Sequence, residues 1–222
     1  MSMQPAELTA LITDTVHRMV DRAGTITEYR QPLVGFADAD DDRFLQLREV
    51  VEASHMLPQD LVAAARSVVS FFLHFVPWVA KANEPYKDQV AREWAVAYVE
   101  TNQLIGRVCA QLIESLAEHG VQAAAEPATH NFDHVSLVSP WSHKSVAIIA
   151  GLDSFGLHQM VITDAGCAGR LGSLVLDAEL PASILEPKER CAFYHDGSCL
   201  ECAVRCPASA IDTGEPLDKQ GC

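Results

Sequence analysis

No stretch of this 222-residue chain reaches the roughly 18 apolar residues that a membrane-spanning helix needs. The longest candidate, 68–80, is interrupted by Ser70, His74 and Pro77 and reads as a buried strand. Positive charge is also scarce. Sixteen Lys and Arg stand against 30 Asp and Glu, a net charge of −14, and the basic residues are scattered. Nucleic-acid binders draw their non-specific affinity from phosphate neutralisation on a basic face. This composition therefore argues against a nucleic acid partner, and it offers no membrane segment. An acidic surface suits solubility or steering toward a basic redox partner protein. Residues 1–9 lack the charged-then-apolar pattern of an export signal, so a cytoplasmic location with reduced cysteines is expected.

A calcium loop is missing as well. Asp38, Asp40, Asp42 and Glu49 fall at EF-hand positions, but Arg43 occupies the place where the sharp turn demands glycine. The 37–43 segment therefore reads as an acidic turn.

What the chain does have is a cysteine string near its end: Cys191, Cys199, Cys202 and Cys206, with Pro207 directly after. The spacing Cys-x7-Cys-x2-Cys-x3-Cys-Pro reproduces the second half of the bacterial ferredoxin run, whose thiolates hold an iron–sulfur cluster. Structural zinc normally uses two Cys-x2-Cys knuckles far apart, and only one pair here has that spacing. Disulfides would need an oxidising compartment and would leave one of the seven cysteines unpaired. The usual run would carry a further cysteine three residues before Cys199, where Asp196 stands. The reading favoured is one [4Fe–4S] cluster on Cys191, Cys199, Cys202 and Cys206. Cys222 remains open as a fifth donor that takes the place of Cys206, since in two-cluster ferredoxins the cysteine before proline serves the other cluster.

With 49% apolar residues, the chain can bury one main domain, 1–180, with a cluster-bearing appendage, 181–222. An amphipathic helix is expected over 5–23, a central strand over 67–76, a long helix over 88–119 with Cys109 as a buried apolar residue, and a short strand within 121–126. The stretch 129–134 carries His130, Asp133 and His134, whose spacing admits a metal but better suits an ordered loop or cleft wall. A helix follows over 141–152. Two β-prone segments, 160–163 and 171–176, flank the loop 164–169, which reads as a hairpin connection.

Trp141-Ser142-His143-Lys144, Ala150-Gly151-Leu152, Phe155-Gly156, the segment 157–163, Gly169-Arg170-Leu171-Gly172-Ser173 and the closing cysteines, in this order, resemble the epoxyqueuosine reductase-like family of iron–sulfur proteins, related to the reductive dehalogenases. The resemblance covers 121 to the C-terminus and reaches more weakly to His55-Met56-Leu57-Pro58. It implies an α+β fold: a flavin-reductase-like (nitroreductase-like) core followed by a ferredoxin-like iron–sulfur segment. It also implies electron transfer from clusters to a cobalamin, or to a small organic substrate. His143, Lys144, Gly151, Gly156, Gly169 and Arg170 would then contact the cofactor. Turn chemistry alone is the competing account of the glycines.

Two departures stand out. Leu137 occupies the place of the family's acidic proton donor, which leaves His143 or Asp133 as catalytic candidates. Asp153 replaces the glycine that follows Ala-Gly-Leu. A non-catalytic iron–sulfur carrier, or a subunit of a larger redox complex, is the alternative reading. In the cluster, Cys109 and Cys167 are expected to matter less than Cys199 or Cys202.

Overall fold

The computed structural model describes residues 3–86, 89–128, 132–184 and 188–221. The candidate donor Cys222, the start of the expected 88–119 helix at Asp88, and His130 of the His-rich stretch lie outside the described residues.

The centre is a four-stranded antiparallel sheet, ordered β1 (Leu33–Asp38), β2 (Ser67–His74), β6 (Gly169–Leu176), β3 (Ala123–Ala124). All eight residues of β2 are buried, which fits its continuous Val, Phe and Leu content and its place between two neighbours. Successive side chains of a strand point to opposite faces. One face, through Val69, Phe71, Leu73, Leu174 and Leu176, packs against α1 (Pro5–Asp21) and α5 (Arg92–Ala117). The other, through Val68 and Val175, packs against Trp141, Val146 and Ile149 of α6 (His143–Ile149) and its approach, and against Phe44 and Leu47 of α2 (Asp42–Val50).

The amphipathic stripes of α1 and α5 place Leu8, Ile12 and Val16 against Leu104, Val108 and Leu112, as their helical spacing dictates. Cys109 lies in that stripe, buried, and burial pushes its thiol up to about 12. Among the described residues no helix is long and apolar enough to cross a membrane.

Several elements differ from expectation. The acidic stretch 37–43 is shared between the end of β1, a tight turn and the start of α2, where Asp41 accepts the Arg43 N–H and caps α2. Pro77 ends the long apolar run by opening α4 (Pro77–Asn83), because proline is tolerated in a helix's first turn and cannot continue a central strand. The loop after β5 (Val161–Ile162) is not a hairpin connection. β5 pairs with β4 (Ser154–Phe155) in a separate two-stranded sheet, while β6 pairs with β2 and β3.

Beyond β6 the chain runs back along the sheet edge, with Ser183 N–H donating to Phe36 O and Phe36 N–H to Ser183 Oγ. It ends in two short helices, α7 (Ala192–Asp196) and α8 (Glu201–Arg205).

Candidate metal centre

Cys191 is the residue through which the tail meets the core. It is 9% exposed, caps the N-terminus of α7, and its Sγ accepts the Leu157 N–H at 3.4 Å. Gly197, with φ at +75°, closes α7 by donating to Ala192 O and Phe193 O, and this left-handed turn redirects the chain toward Cys199. The Asp196 carboxylate accepts from Ser198, and that residue's side chain first and its N–H second hold it below the usual carboxylate range. Cys202 lies on α8. Burial first, and then neighbouring Cys191 and Cys199, push its thiol up. Cys206 follows α8, and its Sγ accepts the Ala210 N–H at 3.3 Å.

All six described cysteines are free thiols, so no disulfide joins them. Among the described residues no three His, Cys, Asp or Glu side chains converge closely enough for one metal ion. Backbone N–H groups donate to two of the sulfurs, Cys191 Sγ and Cys206 Sγ.

An ion-pair clamp fixes the tail just before Cys191. Arg190 Nε pairs with Asp153, whose side chain is 13% exposed, and Arg190 Nη2 pairs with Asp164 at 2.6 Å. Asp153 adopts φ +115°, a region that favours glycine. The carboxylate at this position gives the chain a tether that glycine could not supply. The clamp left no local signal in the sequence, because Asp153 and Arg190 are 37 residues apart.

The core candidates are each engaged within the chain. His143 Nδ1 lies 2.8 Å from Ser173 Oγ and Nε2 lies 3.4 Å from Pro127 O, while Trp141 Nε1–H donates to the same Ser173 Oγ at 2.9 Å. Burial lowers the His143 pKa to about 4, so the ring is neutral at pH 7, and its contacts fit an Nε2–H tautomer that accepts the Ser173 hydroxyl at Nδ1. Asp133 is exposed. It accepts the Val135 and Ser136 N–H groups, which keep it ionised. Neither residue is a protonated acid at neutral pH. Leu137 ends the same turn at φ +55° and donates its N–H to Asp133 O.

Lys144 Nζ donates to Gln159 O, and Arg170 lies over the Tyr98 ring at 4.2 Å. Gly151 turns the chain at φ +82° after α6. At Gly156 an added Cβ would stand 2.6 Å from Ile162 Cδ1, and at Gly169 it would meet Leu73 O and the Phe72 ring. At both glycines the protein's own atoms stand where a side chain would be, which accounts for glycine there without a ligand. A cavity of about 250 Å³ lies elsewhere, between the N-terminal end of α1 and the end of α5, lined by Met3, Leu8, His119 and Val121. Gly169→Ala is therefore expected to cost about 1–3 kcal/mol by overpacking, read as a lower denaturant midpoint with an unchanged slope.

His55, only weakly signalled by the motif order, holds this region together. It is fully buried, stacks on Trp141 with ring centroids 5.9 Å apart, donates Nδ1–H to Met56 O and accepts the Ser142 N–H at Nε2. Burial lowers its pKa, and that of His74. The sign of the pH effect follows. Each ring binds a proton more weakly folded than unfolded, so stability is complete above the unfolded value near 6.5 and falls as pH drops below it. His143, lowered to about 4, contributes up to about 3 kcal/mol of this loss between about pH 6.5 and about pH 4. Urea midpoints across that range should fall, and His143→Asn should flatten the dependence.

No protein-family model and no curated protein matches the chain. Solved structures do. The epoxyqueuosine reductase of Streptococcus thermophilus aligns with a TM-score of 0.52 and 18% identity over 93% of this chain and 55% of its own. That of Bacillus subtilis, solved with its catalytic loop swung out of the active site, gives 0.57 and 16% over 91% and 53%. A B12-dependent reductive dehalogenase gives 0.54 and 15% over 90% and 25%. The resemblance read from the motifs thus holds at the level of the fold, which is a mixed α/β architecture with small antiparallel sheets. The chain spans about half the length of the epoxyqueuosine reductases and about a quarter of that dehalogenase. An epoxyqueuosine reductase structure solved with a tRNA stem loop also aligns, with a TM-score of 0.55 and 17% identity. The expectation that net charge rules out nucleic acid is accordingly withdrawn, because an acidic total does not describe every face of a surface.

Proposed function

We propose that this chain is an iron–sulfur redox protein whose [4Fe–4S] cluster sits at the junction of the core, 1–180, and a ferredoxin-like tail, 181–222. The observation that carries the reading is the seating of Cys191 on the core through the Leu157 N–H, with Cys202 in electrostatic range of it. The fold neighbours are reductases, which supports a redox role, and the core is read as nitroreductase-like on the motif resemblance. A cluster supplies one-electron transfer. The chain's own residues hold it, exclude water from Cys191 and direct N–H groups at sulfur. The acceptor is a small organic substrate, or a cofactor bound against the core.

A second reading, an electron carrier or subunit of a larger redox complex, is favoured by one feature. The proposed cofactor contacts are packed or hydrogen-bonded internally, and neither His143 nor Asp133 is poised to give a proton. Anaerobically reconstituted protein, mixed with cobalamin and passed through a gel-filtration column, separates the two. Retained cobalamin with an altered visible spectrum supports chemistry within this chain. Free elution with an unchanged spectrum leaves the carrier reading.

A further inference from the structure

The tail shares little surface with the core. Between Cys191 and Ala210 no residue is buried. Among the described residues, the hydrogen bonds and ion pairs of 192–219 all stay within the tail. Gly197 closes α7 on its own carbonyls, and Arg205 pairs with Glu201 on α8. The Ala210 N–H donates to Cys206 Sγ, and the Asp218 N–H donates back to Ala210 O. The tail is therefore a unit with its own internal order.

Its attachments lie at its two ends. Far along the chain, Gln220 Nε2 donates to Val135 O at 2.6 Å, but Val135 is 80% exposed. Water competes for both of those groups, so the bond contributes little. At the near end, Arg190 joins two core segments at once. It pairs with Asp153, in the turn after α6, and with Asp164, on the β5–β6 loop. That loop is itself tied down, with the Arg30 guanidinium donating to Ala165 O at 3.0 Å. The Leu157 N–H donates to Cys191 Sγ one residue further on. Asp153 is the most buried member of the clamp, so losing its partner leaves a desolvated carboxylate unpaired, a larger loss than for a surface pair.

We propose that the tail, 191–221, is a strap latched to the core by the Arg190–Asp153 pair, and that it releases as a unit while the core stays folded. Segments open with free energies set by the contacts they bury, and this one buries few. Release frees the Leu157 N–H and bares Cys191, which is 9% exposed when the strap is closed. Cys191, Cys199, Cys202 and Cys206 all lie on the strap, so the four thiols leave the core together. The latch belongs to the joint between core and tail, and it stands whether or not those thiols carry iron.

Hydrogen–deuterium exchange of the full chain tests this, comparing wild type with Arg190→Gln and Asp153→Asn. The readout is the Leu157 amide, with the amides of α5 as the internal measure of core opening. Asparagine tolerates the left-handed backbone at 153, so that variant removes the charge and keeps the turn. The expected result is exchange at Leu157 about tenfold faster or more in both variants, with the α5 rates as in wild type. An unchanged rate at Leu157 in either variant overturns the latch. Equal acceleration at Leu157 and across α5 overturns release of the tail apart from the core.

Discussion

Replacing Cys199 or Cys202 by serine is expected to leave the purified protein without its visible iron–sulfur absorption and with nearly all of its iron lost. These two thiols are the pair whose two-residue separation lets the chain turn both sulfurs toward one point. Cys202 lies on α8, in electrostatic range of Cys191 and Cys199, which both push its thiol up after burial does. The control is Cys109→Ala. That thiol is buried between α5 and the sheet, it makes a long 3.9 Å contact to Ser173 O, and burial pushes its pKa up to about 12. An inert thiol of this kind should cost some packing and no iron. Iron loss in Cys109→Ala with retention in Cys199→Ser would reverse the ligand assignment.

The second large effect is expected at Trp141. This side chain is 1% exposed, stacks against Phe44 and His55, and donates its indole N–H to Ser173. Trp141→Ala removes the largest fully buried side chain of the face that α6 covers and should cost about 3–5 kcal/mol. Trp141→Phe keeps most of the volume but leaves Ser173 without its indole donor, and should cost about 1–2 kcal/mol. Denaturant unfolding monitored by circular dichroism distinguishes the two. Equal losses would mean that the hydrogen bond, rather than the packing, dominates at this position. The Phe variant should also change how His143 titrates, because Ser173 bridges the indole and the imidazole.

The helical stripes of α1 and α5 and the unbroken apolar run of β2 were legible because their signal is local and periodic. The cysteine spacing was legible for the same reason. β1 was obscured by the acidic residues that follow it: Asp38 ends the strand and Asp41 caps α2, so one short stretch serves two elements. The β5–β6 connection misled because both flanking segments favour extended backbone, while β5 pairs back onto the preceding β4, Ser154 against Ile162, and β6 pairs with the distant β2, His74 against Gly169. The Trp141-Ser142-His143-Lys144 motif could be recognised but not explained. Its partners, His55 and Ser173, lie 87 and 30 residues from the residues they bind. The clamp on the tail is equally non-local, and only the odd choice of Asp153 where glycine is expected hinted at it.

The central claim is that the terminal cysteines carry a redox-active iron–sulfur cluster seated on the core. The most direct measurement is iron, acid-labile sulfide and zinc content of anaerobically purified protein, with the paramagnetic spectrum after chemical reduction. About four iron and four sulfide per chain, with a signal that appears on reduction, is the predicted result. One zinc per chain with no sulfide and no signal would contradict it.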